Sequence, residues 1–193
     1  MKLLLFLLLP MFSLSQEIVT TSSGKKVRLN ANGTWEYVQS TKKENIEFKC
    51  EDVIQTTVDK VTGKSTTATK DFINIGEKEK GFDVIMLTAS NLLVFSIGVN
   101  GKIGCIDEKD KMNVLFRDGT KLELVHNSKF NCSGDFTVYF SKSFGTLDDL
   151  ELFKTKEIET MRVWGSSNFV EKDLTQEESK KLLKAFECLS EKM

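Results

Sequence analysis

The chain has 193 residues, with 27 basic and 28 acidic side chains and a formal net charge of −1. That balance excludes the long-range electrostatic pull that nucleic-acid-binding and anionic-membrane-binding proteins use. Phenylalanine is abundant at 14, the only proline is Pro10, and four cysteines give an even count.

The N-terminus reads as a secretory leader. Lys2 supplies a positive start, Leu3 to Phe12 is apolar apart from Pro10, and Ser13-Leu-Ser15 offers a small-x-small cleavage pattern before Gln16. The apolar run is far shorter than the roughly 20 residues of a membrane span. No cysteine follows it to accept a lipid. Cleavage after residue 15 would leave 178 residues with 26 basic and 28 acidic side chains. That length suits one domain with a real core and a small extension. The exported chain would then have no further membrane span, and its cysteines would mature where thiols oxidise.

Residues 16–38 are predicted to form a small β meander. Glu17–Thr21, Lys25–Leu29 and Thr34–Val38 are separated by Ser-Ser-Gly and by Asn30-Ala-Asn-Gly33. Trp35 and Tyr37 share one face of the last strand. Residues 39–45 contain no apolar side chain and read as a linker. The main domain is predicted over 46–193. Ile46, Phe48 and Cys50 alternate as in a strand. Asp59 to Lys64 is a turn between two Thr-rich strands. Phe82–Ala89 and Leu92–Val99 are apolar on both faces, which places them in the middle of a sheet. Asp107–Lys111 is a charged loop. Met112, Val114 and Phe116 alternate, and Arg117-Asp-Gly-Thr120 turns them into Lys121–Val125. Phe136, Val138 and Phe140 mark another half-buried strand.

Thr146 followed by Asp148 and Asp149 predicts a short helix, with Leu147, Leu150 and Phe153 as its apolar face. Met161 and Val163 alternate with Arg162 and Trp164, and Gly165-Ser-Ser-Asn168 leads into Phe169–Asp173. Thr175-Gln-Glu-Glu178 is a capping box opening a helix of roughly 15 residues. Leu182, Leu183, Phe186 and Leu189 are its stripe. The expected fold is α+β: an antiparallel sheet domain packed by a C-terminal helix and preceded by the meander.

Cys50, Cys105, Cys132 and Cys188 are expected to form two disulfides, with three possible connectivities. Cys188 lies about 240° round the helix from Leu182, off the stripe. It is therefore assigned to Cys132, which leaves Cys50 with Cys105. Each bridge would close a loop of about 55 residues, worth about 4 kcal/mol.

Sites of chemistry are sparse. The single histidine, His126, reads as a surface residue in a polar hairpin end, so neither a His-based metal site nor a Ser-His-Asp triad is expected. C-x-x-C spacing and phosphate-binding glycine motifs are absent, and no cofactor is expected. Asn32-Gly-Thr34 and Asn131-Cys-Ser133 match the glycosylation pattern but read as turn chemistry. Asp107, Glu108 and Asp110 in one loop, with Asp148 and Asp149 at a helix start, leave open a carboxylate-based hydrolase acting on glycans or peptides. The better binding candidates are Trp35 and Tyr37 in the meander and Arg162 with Trp164, which face away from Met161 and Val163. The leading expectation is a non-catalytic exported binding protein of the bacterial envelope, periplasmic or secreted, with a protein or glycan partner.

Two stretches carry a resemblance. Residues 24–38, Gly-Lys-Lys-Val-Arg-Leu-Asn-Ala-Asn-Gly-Thr-Trp-Glu-Tyr-Val, resemble a short β unit near the start of many exported proteins of Bacteroidota-type bacteria. The leader's Leu14-Ser-Gln16 ending looks like theirs. Asn113-Val-Leu-Phe-Arg-Asp-Gly-Thr120, Phe130-Asn-Cys-Ser-Gly134 and Ile158-Glu-Thr-Met-Arg-Val-Trp164 are similar to a group of uncharacterised secreted proteins from the same bacteria. The resemblance implies export and bacterial origin, and no catalytic or ligand-binding residue.

Overall fold

A computed structural model of the chain describes residues 17–21, 26–30, 33–37 and 46–193. The chain divides into two compact units, Met1–Asn45 and Ile46–Met193. The expected leader at 1–15, the Ser-Ser-Gly turn at 22–24 and the linker at 39–45 lie outside the described residues.

In the first unit, β1 (Glu17–Thr20), β2 (Lys26–Leu29) and β3 (Trp35–Tyr37) pair antiparallel in that order. Gly33 takes φ 79° and donates its N–H to the Asn30 carbonyl at 3.0 Å, closing the β2–β3 turn.

The second unit begins with a departure from expectation. Ile46, Phe48 and Cys50 are half-buried while Glu47 and Lys49 are exposed, so the alternation is real. No described strand pairs with it. Asp52 accepts the Lys49 N–H at 2.8 Å, and the chain winds into a short helix, α1 (Cys50–Val53). The hairpin β4 (Ile54–Val58) and β5 (Ser65–Thr69) follows, its turn held by Asp59 accepting the N–H groups of Val61 and Thr62. Next comes β6 (Ile73–Glu77), a strand not expected from the sequence. The hairpin β7 (Lys80–Ala89) and β8 (Leu92–Asn100) turns through Ser90 and Asn91, both at positive φ (52° and 63°), as a two-residue primed turn requires. The remaining elements are β9 (Lys111–Phe116), β10 (Lys121–Val125), β11 (Asp135–Phe140), α2 (Leu147–Thr155), β12 (Ile158–Trp164), β13 (Phe169–Asp173) and α3 (Gln176–Ser190).

Two antiparallel sheets result. The larger has six strands in the order β11-β8-β7-β5-β4, with β6 sharing one edge of β7 with β5. The smaller has four, in the order β10-β9-β12-β13. The architecture is α+β. β7 and β8 are central as expected, yet from Phe82 onward in β7 and throughout β8 burial alternates between a buried and a half-buried face.

The core is aromatic. Phe95 of β8 and Phe140 of β11 meet Phe153 of α2 and Phe186 of α3, and Phe116 of β9 joins through Phe153 at 5.6 Å. One phenylalanine cluster therefore ties both sheets to both longer helices. Edge-to-face pairs of this kind add about 0.5–1.5 kcal/mol each beyond burial. Helix α3 packs on the larger sheet, with Leu182, Phe186 and Leu189 fully buried and Leu183 half-buried. Its capping box forms as predicted: the Thr175 hydroxyl accepts the Glu178 N–H, and Glu178 accepts the Thr175 N–H at 2.7 Å. Glu178 also accepts the Gly76 N–H, fastening the helix start to β6. For α2, Leu150 and Phe153 are buried but Leu147 is exposed. The Thr146 hydroxyl does not cap α2; it donates to the Tyr139 carbonyl at 2.7 Å and so tethers the helix to β11.

The disulfide assignment is corrected. The bridges are Cys50–Cys188 and Cys105–Cys132. Ile106 and Asn131 exchange both backbone hydrogen bonds, at 2.7 and 3.0 Å, in an isolated antiparallel bridge. Antiparallel pairing of 106 with 131 places 105 opposite 132, with Cα atoms 4.0 Å apart. Cys188 is fully buried, because the buried arc of α3 extends through Ala185 toward it and α1 packs there. Cys188 is thus about 60° beyond Ala185, inside that arc. Two disulfides with no free cysteine match an oxidising, extracytoplasmic environment.

Candidate functional site

The alternation of the four-stranded sheet sends Met112, Val114, Phe116, Met161 and Val163 into the core. The residues between them must then face outward. Three register relationships turn this outer face into a lattice. Asn113 of β9 pairs with Glu123 of β10 and with Arg162 of β12, and Arg162 pairs with Glu171 of β13. On one side of this row, Trp164 pairs with Phe169 and Lys111 with Val125. On the other, Leu115 pairs with Lys121 and Thr160, and Thr160 with Asp173.

The side chains hold one another in place. The Trp164 indole Nε1–H donates to Asn113 Oδ1 at 2.8 Å. Asn113 Nδ2 donates to Glu123 Oε2 at 3.3 Å, and Lys111 Nζ donates to Glu123 Oε1 at 2.6 Å. The Lys111 hydrogen bond, helped by its charge and by Asn113, holds the Glu123 carboxyl below the usual carboxylate range. Arg162 Nε donates to Glu171 Oε2 at 2.5 Å, and a second guanidinium nitrogen pairs with the same carboxylate oxygen. The guanidinium carbon lies 4.8 Å from the Phe169 ring centre and 5.6 Å from that of Trp164, within cation–π range. The two rings are themselves 4.8 Å apart and tilted by 50°. Trp164 and Phe169 remain 38% and 37% exposed, so both keep accessible surface.

Between these side chains runs a groove of about 540 Å³, floored by Asn113 and Leu115 and walled by Lys121, Glu123, Thr160, Arg162 and Glu171. A second hollow of about 400 Å³ continues from it past Asn113 and Glu123 to Trp164 and the Lys109–Lys111 segment. Arg162 and Trp164 are brought together here, on the face opposite Met161 and Val163. Phe169, Asn113 and Glu123 complete the site and were not singled out in the sequence, although a signal existed. The Gly165–Asn168 turn sets Phe169 beside Trp164, and the Asp118-Gly119 turn sets Glu123 beside Asn113. The pairing of β9 with β12, more than forty residues on, has no such local signal.

Of the other candidates, only Asp110 of the Asp107–Asp110 loop borders the hollow. Trp35 sits on β3 of the first unit, 58% exposed, and Tyr37 is on the same strand with its side chain outside the described residues. In the Asp107–Asp110 loop, Asp110 accepts the Asp107 N–H and Asp107 accepts the Lys109 N–H, so both carboxylates are engaged in shaping the loop. Asp148 and Asp149 occupy the first turn of α2, where burial, then the Asp148 charge, raises the Asp149 pKa. Glu123 and Glu171 share the groove, on strands three spacings apart, with about 14 Å between their backbones. No group of three or more potential metal-ligating side chains occurs among the described residues.

His126 is 1% exposed and not the surface residue expected from the sequence. Its Nδ1 accepts the Thr137 N–H at 3.0 Å, which leaves Nε2 to donate to the Lys129 carbonyl at 3.2 Å. Asn131 does act as turn chemistry, its amide bonding the Asp135 N–H and carbonyl. No helix among the described residues is long and apolar enough to cross a membrane. Comparison with protein-family models, with curated proteins and with solved structures finds no match to this chain.

Proposed function

We propose that this chain is an exported, non-catalytic binding protein of the bacterial envelope, periplasmic or released, and that the outer face of its four-stranded sheet is the ligand surface. The observation that carries the reading is the Trp164–Phe169–Arg162 cluster beside the groove over Asn113 and Leu115. Aromatic rings left half-exposed, next to polar groups already fixed in a network, present a surface whose geometry needs little reordering on binding. Export is supported by the leader-like residues 1–15, the two disulfides and the resemblance to exported proteins of Bacteroidota-type bacteria.

The test is co-sedimentation of the purified, oxidised protein with cell-envelope fragments. The wild-type chain is expected in the pellet, and an Arg162→Ala, Trp164→Ala double variant with an unchanged circular dichroism spectrum is expected in the supernatant. Equal partition of the two proteins would remove this face as the ligand surface.

A further inference from the structure

We infer that the groove over β9 takes a neutral, linear oligosaccharide; the inference rests on the sheet face being the ligand surface and adds the ligand class. Three features of the groove converge on it.

The first is shape. Leu115, Asn113 and Lys111 lie on the same face of one strand, so the floor extends about 14 Å along β9. The groove and the hollow that continues it share Asn113 and Glu123, giving one trough open at the top. That suits a short run of linked rings lying along the strand.

The second is charge. Four cations, Lys109, Lys111, Lys121 and Arg162, and three carboxylates, Asp110, Glu123 and Glu171, line the trough. The central carboxylates are already paired, Glu123 with Lys111 and Glu171 with Arg162. A net charge of about +1 spread over such a length concentrates no polyanion.

The third is chemistry. The row Glu123–Asn113–Arg162–Glu171 sets carboxylate acceptors at its two ends and the Asn113 and Arg162 donors between them, across four strands. Each carboxylate oxygen engaged by one donor retains acceptor capacity, and Asn113 Nδ2 and the guanidinium retain N–H groups. A ligand that both donates and accepts at closely spaced points, as adjacent hydroxyls do, satisfies this row without leaving a buried group unpaired. Trp164 at the end of the trough offers a ring face to the C–H side of a sugar. The groove's aliphatic lining is Val114, Leu115 and Leu122; Val114 and its cross-strand partner Leu122 share the core face, which leaves Leu115 as the aliphatic side chain presented outward, a small anchor for a peptide side chain.

The chain has two tryptophans, so Trp35→Phe leaves Trp164 as the sole indole reporter. That variant, as the oxidised chain, is titrated with cellohexaose, xylohexaose, mannohexaose, laminarihexaose, maltohexaose and chitohexaose. Oligogalacturonate and a neutral tetra-alanine peptide are the contrasting probes. At least one neutral hexaose is expected to change the Trp164 emission saturably, with half-saturation at or below about 1 mM. Adding Arg162→Ala should weaken it about tenfold or more, and Asn113→Ala provides the same check should Arg162→Ala fail to fold. Saturation by oligogalacturonate or the peptide alone would overturn the neutral-glycan inference and leave the sheet face as a ligand surface. A flat response to every probe would overturn the inference, while co-sedimentation separately decides the reading beneath it.

Discussion

Both nitrogens of His126 are committed, and the partner they serve is a sheet edge. β11 ends the six-stranded sheet, with β8 on its inner side. On its outer side the Thr137 N–H is taken by the imidazole, the Thr137 carbonyl by the Asn127 N–H at 2.8 Å, and the Tyr139 N–H by Asn127 Oδ1 at 3.0 Å. His126 and Asn127 thus close an edge that would otherwise offer unpaired backbone groups. His126→Ala leaves a buried amide without an acceptor and a void beside Phe136. A loss of about 2–4 kcal/mol in urea unfolding is expected; a loss below the resolution of that measurement would show that the edge does not depend on the ring. The sequence concealed this because a lone histidine after a strand looks the same whether its acceptor faces water or a neighbouring amide. Ser179 presents the opposite case. Its hydroxyl is fully buried on α3 and finds no hydrogen-bond partner among the described residues. Ser179→Ala removes that hydroxyl and improves helix propensity, so it should raise the urea midpoint, by up to about 1–2 kcal/mol in stability. Asp118 sets the pH dependence at the same scale. The Lys156 ammonium and the Thr120 N–H hold its carboxyl down to about 2. A folded-state value below the unfolded one contributes stability that is present above about pH 4 and fades as pH falls toward 2. The acid side of the stability profile should flatten in Asp118→Asn, more visibly at low salt because the group is exposed.

Among the elements, those with strict alternation or paired caps were readable, and those decided by a distant contact were not. Met112, Val114 and Phe116 marked β9, and Thr175 with Glu178 marked the start of α3, since each pattern is satisfied within a few residues. β6 shows only Ile73 and Ile75 before Gly76, too short a pattern, and its existence depends on β7. α1 had a strand-like alternation before it and winds because one carboxylate, Asp52, reaches back to Lys49. The cysteine pairing was the largest miss, because helix phase describes one element while a bridge records the meeting of two. Its energetic consequence differs from the expected one. The separations are 138 residues for Cys50–Cys188 and 27 for Cys105–Cys132. In the chain-entropy account these correspond to about 5 and about 3.5 kcal/mol. Replacing Cys50 and Cys188 together by alanine should therefore cost more stability than replacing Cys105 and Cys132, by roughly 1.5 kcal/mol. Non-reducing peptide mapping must first recover the two linked pairs; a Cys132–Cys188 peptide would overturn the topology around α1 and the 105–132 bridge.

At the scale of the whole molecule, the main stabilising features of the described residues fall after residue 45. Both disulfides, the five-phenylalanine cluster and the buried apolar residues packed with it belong to Ile46–Met193. The proposed ligand surface lies within the same unit, on strands joined by hairpins whose turns the sequence announced and by the long-range β9–β12 pairing that it did not. Among its described residues the first unit shows three short strands, an arrangement that is marginal without support. Residues 46–193, exported alone into an oxidising compartment, should therefore fold with both native bridges and one cooperative thermal transition. They should also keep the Trp164 response of the full chain, since every residue of the trough is present. A truncated chain with scrambled bridges, or one that unfolds gradually, would show that the meander is part of the folding unit. A truncated chain that folds but loses the response would transfer the ligand surface to the side of Trp35.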